Sequence, residues 1–284
     1  MSENEAATVA QAEKPAGKVT PEQKPESALS FGLFLVKLIA IVLVIRIFIF
    51  APFSIPSESM LPRLINGDHL IASKWNYGYS NNSLPFNLKP FPEGRIFASQ
   101  PERGDIVIFK HPLDGIDYIK RVIGLPGDQI QMRGGVLFIN GEPVKKERIA
   151  DFVVATSPNT SCHRTGAREQ TGADGTRLCR YVQFRETLPN GVSYNVVDFG
   201  ATMEDDTPIF TVPQGELFLM GDNRDNSQDS RRNAVRGGWI GMVPQDNLVG
   251  KAQFMMWSTD GGASWLLPWT WFTNTRWSRI GDAI

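Results

Sequence analysis

At 284 residues, 42% of them hydrophobic, the chain has room for one large domain or two smaller ones around an apolar core. A formal net charge of -1 gives no electrostatic footing for a nucleic-acid partner. Seventeen Phe and seven Trp are many, and Trp265, Trp269, Trp271, Phe272 and Trp277 crowd the C-terminal tail. They read either as core or as a surface that dips into lipid headgroups, where indole rings favour the interface.

Residues 1–30 are polar, dominated by Ala, Glu, Lys and Pro, and read as a disordered tail. Phe31 to Phe53 is then almost continuously apolar, broken by Gly32, Lys37, Arg46 and Pro52. It predicts a single transmembrane helix over 31–51, since about 20 residues at 1.5 Å each cover a hydrocarbon layer of roughly 30 Å. Lys37 and Arg46 sit away from the middle and can snorkel toward opposite interfaces. A cleavable signal peptide is the alternative, but the run is long and no short basic segment precedes it. Lys14, Lys18 and Lys24 share the tail with five Glu, so charge does not set an orientation.

From about residue 65 the pattern is β-like. Asp105–Phe109, Tyr118–Ile123, Val136–Asn140, Glu216–Met220 and Leu248–Trp257 are short apolar or alternating runs bounded by Gly-Asp, Asn-Gly and Pro-Gln-Gly turn signals. The expected fold class is mainly β, an antiparallel β-sheet domain on one N-terminal helix. The stretch 129–212 is more polar and richer in Gly, and reads as a decorated loop or as a smaller β-subdomain. It holds the only two cysteines, Cys162 and Cys179. In an oxidising compartment a disulfide between them is favoured over free thiols and contributes about 3 kcal/mol by chain entropy. Neither has the neighbours of a zinc site, so no metal is expected.

Ser59 stands in Pro56-Ser57-Glu58-Ser59-Met60-Leu61-Pro62, nine residues past the apolar run that ends at Phe50. The chain has three histidines, His69, His111 and His163, none in a setting that supports a Ser-His-Asp triad, and no Gly-x-Ser-x-Gly elbow or His-Glu-x-x-His pair. A lysine remains as candidate base. Its pKa of about 10.4 falls by up to roughly 3–5 units on burial, which brings the free amine within range of neutral pH. In Tyr118-Ile119-Lys120-Arg121-Val122-Ile123, strand alternation sets Tyr118, Lys120 and Val122 on one face. Lys120 then points inward and Arg121 outward.

These stretches resemble bacterial type I signal peptidases, membrane-bound serine endopeptidases with a Ser-Lys dyad. Pro52 to Met60 resembles the nucleophile block, which implies Ser59 as nucleophile and Ser57 with the Ser59 N–H as oxyanion hole. Tyr118 to Asp128 resembles the general-base block and implies Lys120. Gly221 to Arg231 resembles a third block, in which Ser227 would orient the Lys120 amine while Asp229 and Arg231 pair beneath the site. Gly67-Asp68 and Arg103-Gly104-Asp105 match further turns. Arg232 to Ile240 departs from the family pattern as an insert before Gly241-Met242-Val243-Pro244.

The resemblance implies a catalytic β-domain over 52–128 and 213–284, an inserted β-subdomain over 129–212 and no cofactor. It also implies one span in the bacterial cytoplasmic membrane, with the catalytic domain on the extracytoplasmic side. The partners would be signal peptides of exported preproteins, cut at small-x-small sites, and membrane lipid. Apolar Phe53, Ile55, Pro56, Met60, Tyr118 and Ile119 flank the two candidate residues and would wall shallow substrate pockets. Three other readings stand beside this one. They are a specialised peptidase of one secretion or conjugation system, a self-cleaving repressor-type Ser-Lys protein, and a non-catalytic tethered β-domain that binds exported chains. The span, the charge and the lack of a helix-turn-helix count against the repressor.

Overall fold

The computed structural model describes residues 28–84, 91, 94–162, 166–264 and 266–284. Most of the expected disordered tail, together with His163 and Trp265, lies outside the described residues. The chain divides into two compact units, Met1–Ile41 and Val42–Ile284.

Helix α1 (Ala28–Val44) continues into a wider π-helical turn over Ile45–Ile49. Leu29–Ile49 is long and apolar enough to cross a membrane, and none of it is buried. A helix whose described residues are apolar all round, with charges only at Lys37 and Arg46, calls for an apolar surround. It stops two residues before the expected boundary at 51, because Phe50 and Ala51 pair with Ser73 and Ala72 as a strand. Pro52 is the local cause: its ring disfavours helical geometry at the residue before it.

Strands β1 (Phe50–Ser54), β2 (Asp68–Ser73), β3 (Ile106–Lys110) and β4 (Asp117–Gly124) precede the insert. The insert contributes β5 (Gln129–Arg133), β6 (Val136–Ile139), β7 (Glu142–Pro143), β8 (Lys145–Arg148), β9 (Phe152–Ala155), β10 (Arg168–Thr171), β11 (Arg177–Tyr181), β12 (Gln183–Thr187), β13 (Ser193–Val197) and β14 (Phe210–Thr211). Strands β15 (Glu216–Met220), β16 (Val243–Pro244) and β17 (Leu248–Ser258) return to the main sheet. That sheet has seven antiparallel strands in the order β1-β2-β17-β3-β4-β15-β16. The 129–212 strands form separate small sheets, β10-β11-β9, β13-β12-β8 and β14-β5-β6-β7. The fold is therefore mainly antiparallel β with one apolar N-terminal helix.

Both faces of the main sheet are covered. Ile106 and Ile108 join Ile55, Met60, Leu70 and Ile119 in one buried cluster, while Val107 and Phe109 join Val122, Leu217 and Leu219 in another. A period of two along β3 thus feeds two cores. A third cluster carries Ile123, Phe218 and Met220 of the main sheet against Ile130, Leu137 and Val196 of the insert. Each such side chain contributes about 1.5–3 kcal/mol on full burial, so the insert is fastened to the sheet that bears Lys120. Cys162 and Cys179 are joined in a disulfide, with Cα atoms 5.2 Å apart.

Candidate active site

Ser59 sits in the turn that follows β1, and its neighbours hold it there. Met60, Leu61 and Leu64 are buried, and Leu64 N–H donates to Met60 O at 2.9 Å. Asn223 reaches in from the far end of β15: its N–H donates to Ser59 O and its Nδ2 to Glu58 O, both at 3.1 Å. Gly221 makes this approach possible. A Cβ there would lie 2.2 Å from Ser227 Oγ and 2.5 Å from Ser59 O, so no side chain fits between β15 and the turn.

Lys120 comes from the middle of β4, and its Nζ lies 2.6 Å from Ser59 Oγ and 3.1 Å from Ile119 O. Only 4% of the residue is exposed. Burial lowers its pKa to about 8, with Asp229 and Asp222 opposing the shift and Arg231 adding to it. Asp229 is buried too, which by itself would raise its pKa, but Arg231 and the Gly221 and Arg231 N–H groups hold it below the usual carboxylate range. Arg231 Nε bonds Asp229 Oδ1 at 2.8 Å and its Nη2 bonds Oδ2 at 2.9 Å. An ionised carboxylate beneath the amine therefore limits how far the amine pKa falls.

The expected site residues are not all where the sequence put them. Ser57 Oγ is 3.5 Å from Ser59 Oγ. Ser227 is buried, yet its Oγ has no partner among the described residues, and the Lys120 amine is held by Ser59 and the Ile119 carbonyl instead. Phe53, Ile55, Pro56, Tyr118 and Ile119 line a cleft of about 590 Å³ together with Ser57, Ser59, Lys120 and Ser227. Met60 does not line it; it is fully buried in the core cluster around Ile55.

Arg121 corrects the expectation of an outward-facing strand residue. It is 6% exposed, grips Asp222 with two bonds of 2.7 Å and lies 4.1 Å over the Tyr194 ring. The reason is the insert: β13, which carries Tyr194, covers the face that a lone sheet would leave to water. Next to it Arg224 pairs with Glu186 of β12, both buried, and donates to Tyr194 Oη at 3.2 Å. Asn223, Asp222, Glu186 and Trp239, which also lines the cleft, had no assigned role in the sequence. Their partners are distant in the chain; the crowding of polar residues in Gly221–Arg231 points to Asp222 and Asn223, and nothing local points to Glu186 or Trp239.

The signal peptidase family, peptidase S26, matches residues 28–257. Signal peptidase I of Rickettsia typhi is 42% identical over 230 residues, which are 78% of this chain and 77% of that protein. The chain belongs to the signal peptidase family. Signal peptidase I of Rickettsia prowazekii is 41% identical, covering 81% of this chain and 80% of its own, and that of Rickettsia akari is 40% identical, covering 78% and 76%. A solved signal peptidase I from Enterococcus faecalis is 26% identical, with 54% of this chain and 97% of that chain covered at a TM-score of 0.28. Within this signal peptidase-family chain, no cluster of His, Cys, Asp or Glu fit to hold a metal occurs among the described residues.

Proposed function

We propose that this protein is a membrane-anchored serine endopeptidase that removes N-terminal signal peptides from exported preproteins. In this reading Ser59 is the nucleophile and Lys120 the general base. The observation that carries it is the 2.6 Å contact between Lys120 Nζ and Ser59 Oγ, made by an amine whose pKa is lowered to about 8. At that pKa a useful fraction of the amine is neutral near physiological pH, and the same contact then runs from the Ser59 hydroxyl to the amine lone pair.

The Ser59 oxygen attacks the scissile carbonyl as its proton passes to Lys120. The Ser57 hydroxyl and the Ser59 N–H receive the oxyanion, where one donor is worth roughly 3 kcal/mol. The Lys120 ammonium gives its proton to the departing amine, leaving an acyl-enzyme on Ser59. Water, deprotonated by the same lysine, releases the signal peptide and regenerates the serine. Asp229 and Arg231 support the amine from below. Residues 52–128 and 213–284 act as the catalytic domain and 129–212 as its insert.

Specificity follows from the cleft walls. β1 is an edge strand, and β15 pairs only with Arg121 and later residues of β4, so Asp117–Lys120 has one open edge. An extended peptide can bond to such an edge while Phe53, Ile55 and Ile119 leave room for small side chains. That geometry fits Ala-x-Ala before the cut. The single span and exposed aromatics favour action at the extracytoplasmic surface of the cytoplasmic membrane, with lipid as a partner.

The test is incubation of the purified full-length protein with a preprotein, with N-terminal sequencing of the product. One cut after a small-x-small site, lost in Ser59→Ala, is the expected result. Cleavage that survives Ser59→Ala would overturn the reading. So would equal cleavage when Leu or Phe replaces Ala before the cut, for the signal-peptide part.

A further inference from the structure

We infer that Trp239, in the 232–240 insert, walls a subsite for the side chain that follows the scissile bond and favours large apolar residues there. The inference rests on Ser59 and Lys120 acting as nucleophile and base. Strand β4 divides the cleft. Ile119 belongs to the buried cluster of Ile55 and Ile108, whereas Tyr118 packs with Phe109 on the opposite face. Both line the cleft, as does Trp239. Lys120 shares Tyr118's parity along the strand. Because its ammonium must protonate the leaving nitrogen, the departing chain lies on the Lys120 side, where Tyr118 and Trp239 stand.

Trp239 is firmly held. His111 accepts the Leu113 N–H at Nδ1, 3.2 Å, which leaves Nε2 to donate to Trp239 O, also 3.2 Å. The same imidazole lies 5.0 Å from the Tyr118 ring, so one buried residue braces both aromatic walls. Gly237 N–H donates to Asp114 Oδ2 at 2.8 Å, and Val235 N–H to Trp239 O at 2.8 Å. The Arg232 guanidinium sits 4.9 Å over the indole and pairs with Glu204. The indole is thus half-buried, covered by a cation on one face and fixed before substrate arrives. Asp117 and Glu204, the nearby cleft carboxylates, are paired with Lys110 and Arg232. What this corner offers is rigid apolar contact rather than charge.

The test uses the full-length protein in lipid–detergent micelles and two preprotein series. One carries Ala, Leu, Phe or Glu at the first position after the cut, and the other varies the first and third positions before it. In the first series Trp239→Ala should lower the Phe-to-Ala ratio of kcat/KM by about tenfold, equivalent to about 1.4 kcal/mol. Trp239→Phe should retain most of that ratio, and Arg232→Ala, which loosens the ring without removing it, should fall between. Selectivity before the cut should not move. An equal fall for every substrate would make Trp239 mere scaffold and overturn the inference, as would a change confined to the positions before the cut. A wild type that cuts no preprotein would bring down the Ser59–Lys120 reading and this inference with it. Cleavage by the wild type with ratios untouched by Trp239→Ala would overturn this inference alone.

Discussion

Lys120 shows what the site costs the fold. Its pKa is about 8 in the folded protein against 10.5 for the free side chain, so the protonated amine is favoured in the unfolded state. The sign follows: the penalty is fully present below about pH 8 and is relieved as pH rises toward 10.5. That difference amounts to order 3 kcal/mol at neutral pH. Lys120→Met, apolar and of similar length, should therefore abolish cleavage by roughly 10³-fold or more while raising the denaturation midpoint at pH 7. A variant that is inactive and also less stable would refute a desolvated amine. In the intact enzyme, kcat/KM should fall about tenfold per pH unit below the Lys120 midpoint and level off above it. A profile flat from pH 6 to 9 would exclude lysine as base. Gly221→Ala is the companion test of positioning. Its Cβ would collide with Ser59 O at 2.5 Å, and a shift of that kind near the proposed nucleophile should cost about 10²-fold in kcat.

At the scale of elements, the decisive feature is a strand buried on both faces. Alternation along β4 was readable, and it correctly set Tyr118 and Lys120 apart from Ile119 and Arg121. It did not reveal that Arg121 would be covered, because the cover is Tyr194, more than seventy residues on. Glu186 was invisible as the partner of Arg224 for the same reason. Met60 read as a pocket wall because it is apolar and adjoins Ser59, but a turn can send consecutive side chains to different places, and Met60 went to the core. Local sequence carries the strands and singles out the proposed pair, Ser59 and Lys120. Pairing across the insert is set by tertiary packing, which no short window contains. Arg121→Met should accordingly leave Asp222 buried and unpaired and destabilise the protein by about 3–5 kcal/mol in denaturant unfolding. Adding Asp222→Leu should recover most of the loss. Equal instability of the single and double variants would mean that packing against Tyr194, not charge, dominates.

At the scale of the whole molecule the question is what the exposed aromatics do. Ser54 lies opposite His69, and His69 opposite Trp257, so Trp257 stands two strands, about 10 Å, from the cleft wall. The Trp277 ring packs 5.8 Å from Trp257 and 6.2 Å from Phe272. Leu266, Trp269 and Phe272 are 89%, 62% and 65% exposed, more apolar surface than water alone would favour in one stretch. The last turn of the apolar helix belongs to the same compact unit: Phe48 O accepts from Tyr79 Oη at 2.6 Å, and exposed Trp75 packs 4.9 Å from Phe50. A surface of this composition beside the cleft suits a headgroup layer, where it would hold the proposed Ser59–Lys120 pair at the depth of a membrane-bound cleavage site. Leu266→Ser, Trp269→Ser and Phe272→Ser combined should therefore lower kcat/KM several-fold for a preprotein presented in vesicles. Cleavage of a short water-soluble peptide spanning the same site should be unaffected, since none of the three lines the cleft. A parallel fall in both assays would assign these residues to folding, and no fall in either would leave them without a lipid role.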